Sequence, residues 1–223
     1  QEISTPLFSA VMSKAASAST IHWFRKGLRL HDNPALLQAC KEGKGKVYPL
    51  FIIDPKFCQG QMSVNRHSFL LQSLEDLDKS LRGVGSRLFV AQGIPENVLP
   101  TLVERWNVKL VTYEYDSGPY SKVRDVAIAK ELSSNGSSCQ VSAHHSHTLF
   151  PLEHYIAKFA AKGAAKSSIP KSYKSFTDLF TSMGPLRQPF PAPTQSDITP
   201  ENGEANVDID MEGVDIPTLV ELG

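Results

Sequence analysis

Residues 21–40 read IHWFRKGLRLHDNPALLQAC and give the first clear structural signal in the chain. The opening four residues form an apolar run of the kind found in a buried strand. Asn33 and Pro34 then supply a helix N-cap and a proline for the first helical position, so residues 35–40 are predicted to be helical. Gly43 and Gly45 are expected to end this helix. A buried strand followed by a capped helix is the repeating unit of α/β proteins.

The same alternation continues along the chain. Further strands are predicted at residues 47–53, 87–91, 109–115 and 139–143. Further helices are predicted at residues 64–82, 99–106 and 120–132, and Pro100 is expected to lie near the start of its helix. Such a pattern indicates right-handed βαβ units. The predicted fold class is therefore α/β, a Rossmann-like five-stranded parallel sheet with helices on both faces, followed by a long interdomain connector.

The composition changes toward both ends of the chain. Residues 1–19 are rich in serine and alanine and are predicted to be a disordered N-terminal segment, and residues 20–150 form the α/β domain. Residues 151–223 are interpreted as a connector with short helices at 152–161 and 173–183. After residue 184 this connector contains six prolines and many acids, so it is expected to run over a surface.

The balance of charge is uneven along the sequence. The chain has 223 residues, with 23 Lys and Arg and 23 Asp and Glu, so the formal net charge is zero. All the basic residues lie within residues 1–187, and eight acids follow them, which leaves that part with a net charge of +8. Spread over so many residues, this charge is weak support for nucleic-acid binding.

Cysteine spacing and hydropathy exclude several classes of protein. The three cysteines are far apart and lack CxxC spacing, so neither a disulfide framework nor a thiolate zinc site is expected. No apolar run approaches the length of about 18–20 residues that a membrane span needs, so no membrane partner is expected.

The best candidate site lies where the predicted strands end. An open parallel sheet binds ligands at the carboxyl ends of its strands. Arg25 and Lys26 follow the first strand, Asp54 follows the second, and Asp116 follows the fourth. These charged groups can orient a polar ring or a nucleotide, although loop residues in solvent would give the same spacing.

Other motifs point to no complete catalytic or metal site. The sequence has no dinucleotide fingerprint, P-loop or nucleophile elbow, so no catalytic residue is assigned. His144, His145 and His147 form a histidine cluster, but neighbouring side chains on a strand point to opposite faces. No metal site is therefore expected.

Residues 21–37 resemble the opening of the photolyase/cryptochrome family, especially animal cryptochromes and (6-4) photolyases. Seven further segments resemble the family in the same order. They are residues 49–55 (PLFIIDP), 64–78, 86–90 (SRLFV), 113–125 (YEYDSGPYSKVRD), 146–152 (SHTLFPL), 170–176 (PKSYKSF) and 216–223 (IPTLVELG). Eight ordered segments are far more specific than any single motif.

The resemblance implies the amino-terminal α/β domain of such a protein. In the family this domain can hold an antenna chromophore, whereas FAD lies in a helical carboxyl-terminal domain, which the chain is expected to lack as a fragment. On that expectation this chain alone is inactive and binds no flavin tightly. Arg25, Asp54 and Asp116 become candidates for the antenna pocket, and Asp116 matches a position facing a deazaflavin ring. Tyr120 and Ser121 replace the Asn-Glu pair of folate-binding members, which argues against folate.

The resemblance leaves the function of the full-length protein open. It implies a blue-light-responsive flavoprotein that is a DNA photolyase acting on damaged DNA or a cryptochrome acting on clock or signalling proteins. Alternatives are a free-standing chromophore- or nucleotide-binding domain and a light-independent circadian interaction module. The family implies nuclear or cytoplasmic residence.

Overall fold

A parallel sheet of five strands forms the centre of the molecule. The structure, a computed structural model, describes residues 19–44, 46–58, 63–134, 139–161, 170–198 and 215–218. In chain order the strands are β1 (Ser19–Phe24), β2 (Val47–Ile53), β3 (Phe89–Gln92), β4 (Val108–Glu114) and β5 (Gln140–His144). Their order in the sheet is β3-β2-β1-β4-β5, and every neighbouring pair is parallel. The predicted fold class is confirmed.

Helices cover both faces of this sheet. They are α1 (Pro34–Gly43), α2 (Pro55–Cys58), α3 (Val64–Arg82), α4 (Pro95–Arg105), α5 (Pro119–Ser134), α6 (Leu152–Ala161), α7 (Tyr173–Thr181) and α8 (Gln195–Ile198). Alternate residues of each strand enter two separate cores. Helices α4 and α5 pack with Trp23 and Leu50 on one face, and α1 and α3 pack with Phe24 and Phe51 on the other.

A buried histidine joins β1 to α1 and β4. Asn33 caps α1 by accepting the backbone N–H of Leu36, and its side-chain amide donates to Nε2 of His22 at 3.1 Å. Nδ1 of His22 therefore carries the proton and donates to the Thr112 hydroxyl at 3.0 Å. Burial, with a smaller contribution from His144, lowers the pKa of His22 to about 3, so the ring is neutral at physiological pH.

Helix α4 differs most from the sequence prediction. It begins at Pro95 rather than at residue 99, so Pro100 lies inside the helix and not near its start. Pro95 suits the first turn, where no N–H donor is needed. Pro100 removes one backbone hydrogen bond from the helix. Burial of Leu99, Leu102 and Val103 against the sheet offsets that loss.

Other predicted boundaries shift by a few residues. Strand β1 begins at Ser19, which pairs with Val108, so Ser19 belongs to the sheet and not to the predicted disordered segment. Residues 1–18 lie outside the described residues. Helix α1 ends at Gly43, and Lys44, with a left-handed φ of 44°, is its C-cap. Gly43 is required because a Cβ there would lie 2.6 Å from Thr20 Oγ1. The bounds of strands β3, β4 and β5 and of helices α5 and α7 differ from the predicted ones by one or two residues at one or both ends.

Part of the connector is packed rather than merely crossing a surface. Residues 184–194 lead to the short helix α8, which was not predicted. Asp32 holds this segment, because its carboxylate accepts hydrogen bonds from Arg187 at 2.6 Å and from the backbone N–H of Phe190 at 3.2 Å. Ile198 is fully buried in the core formed with α1 and α3.

We expect Ile198→Ala to lower the free energy of unfolding by about 2–5 kcal/mol, because it leaves a cavity in that core. Urea unfolding measures the effect. The matched control is Ile156→Ala, since Ile156 is 66% exposed on α6 and should change stability by less than about 0.5 kcal/mol. Equal effects of the two substitutions would show that α8 does not contribute to the core.

Candidate functional site

A cleft of about 290 Å³ opens at the carboxyl ends of β1 and β2. Strands β2 and β3 extend the sheet on one side of β1, and β4 and β5 extend it on the other side. The topological switch point therefore lies between β1 and β4, next to this cleft. The apolar wall of the cleft includes Trp23, Phe24, Phe51, Ile53, Leu70 and Pro95. Its polar wall consists of Arg25, Lys26, Asp54, Arg66, Asp116, Ser121 and Arg124. Arg25, Asp54 and Asp116, which were predicted from the sequence, therefore meet in one cleft.

Arg25 is held rigidly in the wall of the cleft. Its guanidinium contacts the rings of Trp23 and Tyr113, at 4.2 and 4.1 Å from their centroids. It donates to the backbone carbonyl of Glu114 at 3.0 Å and forms a two-pronged ion pair with Asp125. Burial lowers the pKa of Arg25, and the bond to Asp125 opposes this effect. The side chain is only 6% exposed, so it positions other groups more than it reaches a ligand.

Arg124 shares the same carboxylate. Its Nε and Nη2 atoms both lie 3.1 Å from Oδ1 of Asp125, and its guanidinium lies 4.7 Å from the Trp23 ring centroid. The pair of arginines thus joins the end of β1 to the first turns of α5. The two guanidinium groups carry more positive charge than the single carboxylate of Asp125 neutralises, so this wall of the cleft has a net positive charge.

Asp54 is engaged on both oxygens. Oδ1 accepts the backbone N–H of Lys56 at 2.9 Å, and Oδ2 accepts the hydroxyl of Tyr120 at 2.5 Å. Burial, followed by the bond to Asp54 and its charge, raises the pKa of Tyr120 above its usual range. The phenol is therefore a stable donor, and it ties the end of β2 to the start of α5.

Asp116 is engaged still more fully. Its Oδ2 atom contacts Lys26 Nζ at 2.8 Å and accepts the Ser121 hydroxyl at 2.9 Å, while Oδ1 accepts the N–H of Gly118 at 3.0 Å. Burial raises the pKa of Asp116, but the bonds from Lys26, Gly118 and Ser121 outweigh it and hold the pKa well below its usual range. Asp116 is therefore a permanent anion that orders the loop between β4 and α5.

The residues present fit a flat heteroaromatic ring. The floor is apolar, and four cationic side chains face two carboxylates that already have partners. The volume lies near the lower end of the range of about 300–1,000 Å³ for small-molecule pockets. Such a cleft suits one ring system with carbonyl acceptors at its edge.

The side chains of the histidine cluster do not point toward a common centre. Nε2 of His144 bonds to the side-chain oxygen of Gln38 at 2.6 Å, His145 packs on Tyr115, and His147 lies 3.6 Å from Oε2 of Glu114. Within the residues that the structure describes, no group of three or more His, Cys, Asp or Glu side chains is placed to hold a metal ion. The three imidazoles instead join β5 and the following loop to separate neighbours.

Sequence reasoning missed several residues of the cleft. Arg66, Ser121 and Arg124 line it but were not proposed as ligand contacts. Ser121 and Arg124 could have been found, because a helix that follows β4 directly must present its first turns at the same edge as Asp116. Arg66 gave no such signal, since it enters from α3 on the other side of the cleft.

The structure defines an α/β domain with a cleft at the carboxyl edge of its parallel sheet, and comparison with known proteins identifies its family. A family model described as DNA photolyase matches residues 20–194. Cryptochrome-1 of Sylvia borin is 41% identical over 206 residues, which cover 92% of this chain and 32% of the relative. Cryptochrome-2 of Gallus gallus is 40% identical over 208 residues, covering 92% and 34%. The chain belongs to the photolyase/cryptochrome family, which generally binds FAD, and it spans about a third of the length of these relatives.

Solved structures show the same relationship. A Synechocystis cryptochrome superposes with a TM-score of 0.73 at 26% identity, covering 92% of this chain and 40% of that one. A class III photolyase from Agrobacterium tumefaciens gives 0.69 at 28% identity, covering 86% and 37%. The chain thus corresponds to the amino-terminal domain of the family, as predicted. No helix in the described residues combines the length and apolar character of a membrane span.

Replacing Asp54 with asparagine should lower the pKa of Tyr120, because it removes the negative charge that helps to raise that pKa. NMR of ring-labelled tyrosine during alkaline titration follows the phenol, and Tyr120→Phe assigns its signal. Asp76→Asn is the control, since Asp76 is exposed on the outer side of α3. A Tyr120 signal that titrates at the same pH in Asp54→Asn and in the parent would contradict the contact.

Proposed function

We propose that this domain holds an antenna chromophore for a blue-light-responsive flavoprotein of the cryptochrome type. The observation behind this proposal is the cleft at the switch point, where an apolar floor meets a cationic wall. A bound chromophore of this kind absorbs light and passes the excitation to flavin. The proposed ligand is a deazaflavin or a related flavin ring, with folate less favoured.

The donors around the cleft support this ring class. The edge of a flavin or deazaflavin presents two carbonyl oxygens on either side of one N–H. Arg66, Arg124 and Lys26 supply the donors for such carbonyls, and Trp23 with Phe51 supplies apolar surface. An archaeal photolyase from Sulfolobus tokodaii, solved with two FAD molecules, superposes with a TM-score of 0.60 at 30% identity over 79% of this chain and 37% of that one. In that photolyase the two FAD molecules implicate a novel light-harvesting cofactor, which is consistent with a flavin ring in this role.

Three residues have proposed roles in holding the ring. Asp116 orders Lys26 and Ser121 along one side, Asp54 holds Tyr120 on the other, and Arg25 fixes the wall behind them. Each acts by placing a neighbour, because the carboxylates of Asp116 and Asp54 already accept hydrogen bonds and the two Nη atoms of Arg25 are bonded to Asp125 and to the Glu114 carbonyl. The cleft is thereby built before a ligand arrives, which reduces the entropy cost of binding.

Asp116→Ala should weaken binding of deazariboflavin at least tenfold, because it releases Lys26, Gly118 and Ser121 together. Titration of the purified chain, followed by ligand fluorescence, gives the dissociation constant. Asp76→Ala, an exposed aspartate on α3, is the matched control and should bind as the parent does. Unchanged binding by Asp116→Ala would remove Asp116 from the site, and a parent chain that binds no deazariboflavin would overturn the proposed function.

Signalling through clock or other regulatory proteins in the nucleus or cytoplasm is the favoured role of the whole protein. Identity of 41% to Cryptochrome-1 over 92% of this chain supports it. Repair of damaged DNA is the second candidate, supported by the match to a class III photolyase. A light-dependent repair assay on ultraviolet-damaged DNA separates them, because only a photolyase restores the damaged bases. Light-dependent repair by the full-length protein would overturn the signalling role.

A further inference from the structure

Among the described residues that line the cleft, cationic donors outnumber carboxylates, and every carboxylate oxygen already accepts at least one hydrogen bond. Both oxygens of Asp54 accept hydrogen bonds, from Lys56 N–H at 2.9 Å and from the Tyr120 hydroxyl at 2.5 Å. Asp116 accepts bonds from Lys26, Gly118 and Ser121. Among the described residues, by contrast, the guanidinium of Arg66 has no hydrogen bond or ion pair, and Nε of Arg25 is buried without an acceptor.

Because hydrogen-bond donors outnumber acceptors in the cleft, a heteroaromatic ring fits better when the atoms at its edge are mainly acceptors. A flavin or deazaflavin edge reads acceptor, donor, acceptor, so its two carbonyl oxygens suit a wall of cations and only one N–H needs an acceptor. A pterin edge carries an amino group next to a ring N–H, and this pair of donors needs a carboxylate opposite it. A buried donor left without an acceptor weakens binding, so a pterin is disfavoured while Asp54 is occupied.

We propose that Tyr120 is the specificity-determining residue of the cleft, because its hydroxyl occupies the Asp54 carboxylate and thereby selects a flavin-type ring over a pterin. The inference rests on the proposed function, that the cleft binds a chromophore. Tyr120 is well placed for this role, since its ring lies 5.2 Å from Lys56 Nζ and 5.4 Å from the Arg124 guanidinium. These cations hold the ring in position while the hydroxyl bonds Asp54.

A purely structural role for the bond makes a different prediction. The Tyr120–Asp54 contact also joins β2 to α5, so its loss could loosen the cleft for every ligand equally. Selectivity is therefore the decisive quantity, measured as the ratio of the dissociation constants for hydroxymethylpterin and deazariboflavin. A structural role leaves this ratio unchanged, whereas a specificity role changes it.

The experiment titrates both rings into the purified chain and into Tyr120→Phe, which removes only the hydroxyl. We expect Tyr120→Phe to improve pterin binding relative to deazariboflavin by roughly tenfold, the effect of one hydrogen bond to a charged group. Adding Asp54→Asn to Tyr120→Phe should abolish the gain, because the carboxylate is then absent. Tyr173→Phe is the matched control, since Tyr173 is 83% exposed on α7.

The outcomes separate this inference from the proposed function. If the parent chain binds deazariboflavin and Tyr120→Phe keeps the same ratio, the inference is overturned and the proposed function stands. If the parent binds neither ring but Tyr120→Phe binds the pterin, the inference is supported and the deazaflavin proposal fails. If no variant binds either ring, both are overturned.

Discussion

The carboxylate of Asp125 is the constraint on which the cleft depends. Two guanidinium groups, those of Arg25 and Arg124, are buried against the ring of Trp23, and Asp125 bonds to both of them. Without that shared anion, two like charges would be desolvated side by side, and removing one partner of a buried ion pair costs about 3–5 kcal/mol. Because Arg25 follows β1 and Asp125 lies on α5, this one interaction fixes the start of α5 against the end of β1.

The same requirement for paired charges shapes the loop between β4 and α5. Glu114, at the end of β4, is 2% exposed and faces Arg29 at 3.6 Å and His147 at 3.6 Å. Gly27 has to be a glycine, because any Cβ at that position would collide with the Glu114 carboxylate. Asp116, two residues later, is neutralised by Lys26. Acids at the end of one strand are thus matched by bases at the end of its neighbour, as parallel strands allow.

Local sequence patterns predicted the sheet and its helices, because the periods of strands and helices are local properties of the chain. Strand β2 and helices α3 and α6 were predicted with the bounds that the structure shows. Ile198 was not predicted to be buried, because prolines and acids surround it and composition there favours solvent. Arg25, Asp54 and Asp116 were placed at one edge of the sheet by topology alone. Their partners were not, since Arg25 meets Asp125 and Asp54 meets Tyr120 across 100 and 66 residues.

These distant pairings change what the predicted residues do. Sequence reasoning treated Asp54 and Asp116 as groups that face a ligand, because an acid after a strand has no visible partner in the sequence. In the structure both acids already accept hydrogen bonds from neighbouring residues, and Asp116 also forms an ion pair with Lys26. An occupied carboxylate can still define a site, since it fixes the donor that a ligand meets. In the proposed site, the cations and the apolar floor therefore supply the contacts to a ring, and the acids determine where those groups stand.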